Sequence, residues 1–583
     1  MKTMRIAMAL AAAPLALTIL APAASADTAA QYFRDRMQSP SVPEVLTDEE
    51  EAFYRLVFQA LDNGSWDEAR RLLDSRPAGA LHQVAWAELY LDPNSPATQA
   101  EDIRKWFSAG GELPQAEQLQ SLGAKRGLVA SYNTPRAQNF VSQPYASKRI
   151  LPRPSRDGTM PDSISNAILD RIKNDDPDGA RVLLDGIDAT LGSEARAEWR
   201  QRVAWSYYIE NYDAAALAMA QTVKAGSGPW VAEGDWVAGL AAWRLDDCET
   251  ASAAFERSAM GAENVELMAA ARYWAARAHT RCRRPEKVAE QLRGAALADQ
   301  TLYGMLAREQ LGQELSDENR PVDFTQDDWR QLQGQSNVRA AIALNQIGED
   351  GLADEVLRHQ ARIGDPSQYQ ALSRLARELG LPSTQLWMAH NAPVGTSSEP
   401  TLRYPAPRWE PVNGWQVDPA LAYAHALQES NFRAAVVSPA GARGLMQIMP
   451  AAARDHQGRL GITGTARNLS KPAVNLAFGQ EHLNMLRSSH QTEGKLPKIM
   501  AAYNAGLSPI GRWNSEVRDM DDPLLYMESI PYWETRGYVA IVMRNYWMYQ
   551  RQAKARSASR RALAEGQWPQ FPSMSPVRTA QAE

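Results

Sequence analysis

An Ala-rich amphipathic segment recurs along the first part of this chain. It reads Asp67-Glu-Ala-Arg-Arg-Leu-Leu73, then Asp178-Gly-Ala-Arg-Val-Leu-Leu184, then Asp213-Ala-Ala-Ala-Leu-Ala-Met219. Weaker copies lie around Ala253-Ala254-Phe255 and from Glu286 to Leu292. From Asp178 onward the interval is roughly 35 residues, the length of a helical-hairpin repeat. One hairpin of that size cannot bury its own apolar face, so copies must stack. Apolar residues return at helical spacing, as in Ala69, Leu72 and Leu73, and strand-like alternation is rare. Residues 27–385 are expected to form an α-superhelix of degenerate, tetratricopeptide-like hairpins in an all-α chain. The aromatic residues within it, Trp205, Tyr207, Trp243, Tyr273 and Trp274, are expected mostly to be core. The total of 17 Trp also suits polysaccharide binding. A Pro-containing stretch from Ser131 to Pro161 should cross or wrap the helices.

The N-terminus indicates export. Lys2 and Arg5 precede an apolar run from Ile6 to Leu20, and Ala24-Ser25-Ala26 is a small-residue cleavage site. This is the pattern of a secretory signal peptide over residues 1–26, cleaved near Ala26, with the mature protein periplasmic or released. The apolar run is short for a membrane span, and no stable membrane insertion is expected. A net charge of -6 gives no support for a nucleic-acid partner. The two cysteines, Cys248 and Cys282, lie in helical sequence of an exported chain, so a structural disulfide is expected. Two thiols without a Cys/His cluster make a poor zinc site, and no metal or cofactor is expected.

Pro393, Pro400, Pro405, Pro407 and Pro411 mark a linker over 386–411, which a small linker domain beginning earlier would precede. A compact module follows over 412–560, then a tail over 561–583 whose last fifteen residues should be loose. In the module, Asp418-Pro419 reads as a helix start, with Asp able to cap and Pro suited to the first position. The helix runs to Glu429-Ser430, with Asn431 and Phe432 beyond it. A carboxylate near a helix C-terminus lacks a favourable dipole. If apolar neighbours also shield it, its pKa rises toward what a general acid needs. Taken by spacing alone, an exposed helical Glu is the commoner outcome. Next come the Gly-rich Ser438–Pro450 connection with Gly444-Leu-Met446-Gln447, the helix end Ala502-Tyr503-Asn504, and Glu528-Ser-Ile-Pro531. Ile530-Pro531 should start a helix carrying Glu534 and Tyr538 on one face.

These four ordered blocks resemble the catalytic domain of the bacterial soluble lytic transglycosylases, a lysozyme-like fold related to goose-type lysozyme. Arg272-Tyr-Trp-Ala-Ala-Arg277 and Leu302-Tyr-Gly-Met-Leu-Ala307 resemble the superhelix of the large soluble type, which closes into a ring with its linker and catalytic domains. The resemblance implies Glu429 as the sole acid/base, cutting the β-1,4 bond between N-acetylmuramic acid and N-acetylglucosamine to leave a 1,6-anhydromuramoyl end. It implies peptidoglycan strands as partner, with cell-wall synthesis or remodelling proteins as further candidates. Gln447 and Asn504 would meet acetamido or hydroxyl groups, and Tyr503 would bond Glu429 or the sugar. Met446 and Phe432 would line the subsite floor. Glu528 would add a polar substrate contact, Ser430 would hold Glu429 or touch substrate, and Tyr538 belongs to the supporting set. His425 stands one turn before Glu429, where the family often has apolar residues; a contact that alters the Glu429 pKa is open to it, but it is expected merely to pack or face solvent. Two other functions fit the same residues: a hydrolase pairing Glu429 with Glu528, and a non-catalytic cell-wall scaffold.

Overall fold

The computed structural model describes residues 26–38, 42–315, 322–463, 468–572 and 574. The expected signal peptide lies outside the described residues except for its last residue, Ala26, as does the end of the tail beyond residue 574. Among the described residues the fold is almost wholly α-helical, with two three-residue strands.

The helix Asp48–Asp62 shows how the local code works. Thr47 and Glu50 form a reciprocal capping box, and Tyr54, Val57, Phe58 and Leu61 form the buried stripe. From Asp162 the helices pair as hairpins, with second helices beginning at Pro177, Asp213, Cys248 and Pro285. Two residues before each start lies a left-handed residue: Asp175, Asn211, Asp246 and Arg283, with φ between 56° and 61°. The turn is therefore the most regular part of the repeat, and Asn and Asp tolerate it best. Small residues let the hairpins approach closely. At Gly239, a Cβ would come within 2.4 Å of the Phe255 ring.

Trp230, Trp236, Trp274, Tyr207 and Tyr273 are fully or almost fully buried, and Trp243 is buried as well. These rings are core, as expected for most of them. Cys248, the first residue of the helix Cys248–Gly261, is bonded to Cys282 at the end of the Val265–Arg281 helix.

The stretch after the helix Ala116–Lys125 has no helix until Asp162. It is a strap across the molecule. Its strand β1 (Phe140–Ser142) pairs antiparallel with β2 (Asn391–Pro393), with Val141 opposite Ala392. Further on, Ser147 donates to Glu266 and Arg149 pairs with Glu233 at 2.7 Å. The expected linker 386–411 is thus partly ordered: it includes the end of the helix Pro382–His390 and all of β2. The helices from Gln326 to His390 share a core with those from Asp48 to Lys125. Across that contact, Arg55 donates to the Gln346 carbonyl and Gln346 Oε1 accepts from the Val45 amide.

The C-terminal module shares a second core with the Pro177–Gln310 hairpins. Polar contacts span the junction: Arg518–Asp213 at 2.8 Å, Arg277–Asp522 at 2.5 Å, and Tyr208 with Ser529 at 2.8 Å. Two ends of the chain behave unlike the sequence expectation. The helix Ala26–Gln38 sits against the module, where Phe33 packs edge-on to Tyr423. The tail helix Ala558–Ala564 continues into a segment that returns to the module. Phe571 N–H donates to the Gly494 carbonyl, Leu496 N–H donates to Pro569, and Phe571 is buried. Its aromatic residues explain this docking: Trp568 also bonds Asp521 through its indole N–H.

Candidate active site

The helix Pro419–Ser430 runs through the centre of the module. Asp418 caps it, accepting the Ala420 N–H on Oδ1 and the Tyr546 hydroxyl on Oδ2. Every residue from Pro419 to Ala426 is buried. Ala420, Ala422, Ala424 and Ala426 leave room for close neighbours. The helix stops because Asn431 and Phe432 both take left-handed backbone, with φ of 50° and 59°. Such a conformation suits Asn but costs a bulky residue about 1–3 kcal/mol. Burial of the Phe432 ring near Tyr423 and Trp409 holds it there. Glu429 is thereby fixed in the last helical turn.

Tyr538 supplies its closest partner. The Tyr538 hydroxyl donates to Glu429 Oε1 at 2.6 Å. Burial pushes the Glu429 carboxyl up to about 7; the Tyr538 hydrogen bond opposes this and nearby Glu534 adds to it. A carboxyl with that pKa is populated in both protonation states near neutrality. His425 packs and does not face solvent, and it also joins the site through Tyr538. It is fully buried, and its Nδ1 lies 2.8 Å from the Tyr538 hydroxyl. The reason is tertiary: Tyr538 and Tyr503 fold over this face of the helix, their rings 5.9 and 4.5 Å from the imidazole.

Tyr503 does not hydrogen-bond Glu429. It donates to the Met446 carbonyl at 2.7 Å and so ties its helix, Leu496–Ala505, to the Gly-rich connection. In that connection Gly444 has φ of 74°, and a Cβ there would lie 2.3 Å from Asn475 Nδ2. Asn475 was not among the sequence candidates. Its amide donates to the Arg443 and Leu469 carbonyls and its Oδ1 accepts the Met446 N–H. A fully buried Asn inside the helix Pro472–Arg487 satisfies two backbone groups of the loop that presents Gln447 and one, the Leu469 carbonyl, of the turn before its own helix. The available signal was one polar residue among apolar neighbours in that helix.

Gln447 Nε2 donates to the Gly444 carbonyl at 2.8 Å, which leaves its Oε1 as the acceptor for a ligand. Asn504 Oδ1 accepts from Thr535 at 2.6 Å, which leaves its amide N–H groups as donors. Phe432 and Met446 are buried at 1% and 0% exposure, so they shape the site from beneath and offer little open surface. Ser430 is buried and donates back to the Ala426 carbonyl of its own helix. Glu528 lies elsewhere. It accepts from Tyr303 at 2.6 Å and lines a cavity of about 190 Å³ between the superhelix and the module, beside Arg536, Trp205, Trp236 and Trp533. Glu429 is not part of that lining. The helix bearing Tyr538 begins at Trp533 and not at Pro531, because the Ile530 carbonyl is taken by the Arg536 guanidinium. Among the described residues, the only grouping suited to a metal is Cys248, Glu249 and Cys282, and its thiols form the disulfide. Among those residues no helix is long and apolar enough to cross a membrane.

The family model "Transglycosylase SLT domain" matches residues 410–525, a span holding Glu429, Gln447, Tyr503 and Asn504. A putative soluble lytic murein transglycosylase of Haemophilus influenzae is 32% identical over 260 residues, 42% of this chain and 42% of that relative. The chain therefore matches less than half of that relative's length. An endo-type membrane-bound lytic murein transglycosylase A of Klebsiella pneumoniae is 30% identical over 143 residues, 22% of this chain and 70% of that relative. The crystal structure of the 70 kDa soluble lytic transglycosylase of Escherichia coli superposes with a TM-score of 0.51 at 17% identity. That match covers 90% of this chain and 99% of the other, and carries the fold: a helical superhelix joined to a lysozyme-like domain. On the sequence matches, with this architecture around the Glu429 module, the chain belongs to the lytic murein transglycosylase family.

Proposed function

We propose that this protein cleaves the β-1,4 bond between N-acetylmuramic acid and N-acetylglucosamine in peptidoglycan without water, with Glu429 as the single acid/base. The observation that carries the reading is Glu429 itself: a shielded carboxyl with its pKa raised to about 7, held by Tyr538. The protonated carboxyl gives its proton to the glycosidic oxygen as the C1–O4 bond breaks. The muramoyl C6 hydroxyl then attacks C1, and Glu429 takes the hydroxyl proton. One bond is exchanged for another, the proton count is unchanged, and Glu429 ends as it began. A two-carboxylate glycosidase needs a second group for the nucleophile or base. Here the substrate provides the nucleophile, so proximity contributes much of the rate.

The free Oε1 of Gln447 suits an acetamido N–H, and the Asn504 amide suits a carbonyl or hydroxyl oxygen. Phe432 and Met446 support these positions from below, Tyr503 keeps the Gln447 loop against its helix, and Ser430 stiffens the last turn before Asn431. Glu528, at the superhelix junction, would meet substrate only where a strand reaches that cavity. The superhelix, closed by β1–β2 and by the shared core of its ends, is read as the part that holds the glycan strand. Work on peptidoglycan in the periplasm fits the secretory signal expected over residues 1–26.

Mass spectrometry of purified sacculi after digestion tests the reaction. The expected products carry 1,6-anhydromuramoyl ends. Reducing muramic acid ends would instead identify a hydrolase. A folded Glu429→Gln protein is expected to lose at least about 100-fold in rate, the scale of a general acid/base. Undiminished release of anhydromuropeptides by that variant would remove Glu429 from the mechanism.

A further inference from the structure

We propose that His425 is a positioning residue for Glu429: acting through the Tyr538 hydroxyl, it fixes which carboxyl oxygen carries the acid proton. The functional consequence rests on Glu429 being the general acid, whereas the hydrogen-bond direction does not.

Two hydrogen bonds meet at one hydroxyl. His425 Nδ1 is 2.8 Å from Tyr538 Oη, and Tyr538 Oη is 2.6 Å from Glu429 Oε1. A phenol has one proton to donate. With that proton on the bond to Oε1, the bond between Nδ1 and Oη needs its proton from the imidazole. His425 is then the neutral Nδ1–H tautomer. A second observation favours the same tautomer. His425 Nε2 is buried and has no hydrogen-bond partner among the described residues. A bare acceptor lone pair is tolerated in that position more readily than an orphaned N–H. Burial, with His482 nearby, holds the imidazole pKa down at about 3, so the ring stays neutral where Glu429 titrates.

The consequence falls on the acid form of Glu429. While His425 donates to Oη and Oη donates to Oε1, Oε1 is an acceptor in both charge states. The mobile proton is then confined to Oε2, the oxygen not engaged by Tyr538. Without the imidazole donor, the Tyr538 hydroxyl can turn and accept from Oε1–H. That arrangement stabilises an acid whose proton faces protein and cannot reach a ligand. The other groups acting on this triad are Glu534 on the helix of Tyr538, Tyr503 on the helix Leu496–Ala505, and His482 on the helix Pro472–Arg487. All three remain when His425 alone is changed.

The direct test is 15N NMR of histidine-labelled full-length protein, with the His425 signal identified by its loss in His425→Asn. The Nδ1–H tautomer should persist across the pH range in which Glu429 titrates. An Nε2–H tautomer, or a change of tautomer through that range, overturns the proposal. The kinetic test uses two variants. His425→Leu should lower kcat about tenfold, the size of one neutral hydrogen bond felt in the transition state, with KM little changed. The alkaline limb of its kcat–pH profile should move to higher pH. His425→Asn places an amide N–H where Nδ1–H stood and should restore most of both. Wild-type kinetics in His425→Leu, or equal loss in folded Leu and Asn variants, overturns the proposal. If the Leu variant fails to fold, the tautomer of the wild-type ring decides. If Glu429→Gln keeps full activity, the functional reading fails while the tautomer measurement still reports on the hydrogen-bond direction.

Discussion

Tyr538 and Glu429 are 109 residues apart in the chain and share a 2.6 Å hydrogen bond. The donor comes from the helix Trp533–Gln552, the acceptor from the last turn of Pro419–Ser430. This bond favours the carboxylate and works against the burial that favours the acid. Tyr538→Phe should therefore raise the Glu429 pKa further. If the acid is the form that starts the reaction, the alkaline limb of kcat moves to higher pH in the variant. The maximum should fall about tenfold, because the acid is no longer held in one orientation. A pH profile of anhydromuropeptide release checks both; a limb moving to lower pH would contradict the assignment.

The same carboxyl makes stability depend on pH. Its native pKa of about 7 lies above the ordinary 4.5. Between those values the native state keeps a proton that the unfolded chain has released. Stability therefore falls as pH rises through this window, and the cost is complete above about 7. Glu429→Gln removes that cost. At low pH the variant should match the wild type. Above neutrality it should be the more stable by something on the order of 3 kcal/mol. Asp418, also buried with its pKa raised to about 6, is present in both proteins and cancels in the comparison. Denaturant melts at the two pH extremes provide the measurement, and equal differences at both would refute the raised pKa.

The parts of this molecule that could be read from the chain are those set by near neighbours. Asp418-Pro419 marks a helix start because a cap and a fixed φ act within a few residues. The hairpin repeat was legible for a similar reason, since the same turn recurs ahead of Asp213, Cys248 and Pro285. Glu429 stood out by its place at a helix end and by its neighbouring motif. The tertiary partners were hidden. The apolar residues on either side of His425 are consistent with its burial, but nothing within one turn of it signals that residues 503 and 538 fold over it. The sequence leaves Tyr503 open to Glu429 or the sugar. It bonds Met446 because the Gly-rich loop comes up beneath the ring. The docking of Phe33 on Tyr423 and of Phe571 beside Gly494 likewise depends on surfaces assembled from distant segments.

The disulfide supports the superhelix and has no part in the site. It joins Cys248 to Cys282 across a sequence separation of 34 residues. A loop of this length constrains the unfolded chain by about 2–4 kcal/mol. Cys248→Ser with Cys282→Ser should lower unfolding stability by about that amount. The rate of bond cleavage at temperatures well below the melt should be little changed. Peptide mapping of the exported protein without reductant should recover the linked pair. Two free thiols in such material would remove the bridge from the account.

Gly444 provides the sharpest test of the loop that presents Gln447. Its left-handed backbone, with φ of 74°, disfavours any side chain, and a Cβ would sit 2.3 Å from both Asn475 Nδ2 and the Leu469 carbonyl oxygen. Gly444→Ala must therefore shift the loop or push Asn475 off the carbonyls of Arg443 and Leu469. Either movement also disturbs the Met446 backbone, which Tyr503 and Asn475 hold from opposite sides. Strain of this kind costs about 1–3 kcal/mol. A comparable loss follows when buried backbone groups lose their partner, so Asn475→Ala should destabilise by about 1–3 kcal/mol too. Both variants should reduce cleavage more than tenfold through misplacement of Gln447. Because they strain the same contact, their effects should not add: the double variant should lose clearly less than the sum of the two. A full double-mutant cycle on stability and on kcat/KM measures this. Strict additivity would show that Gly444 and Asn475 act on different parts of the site.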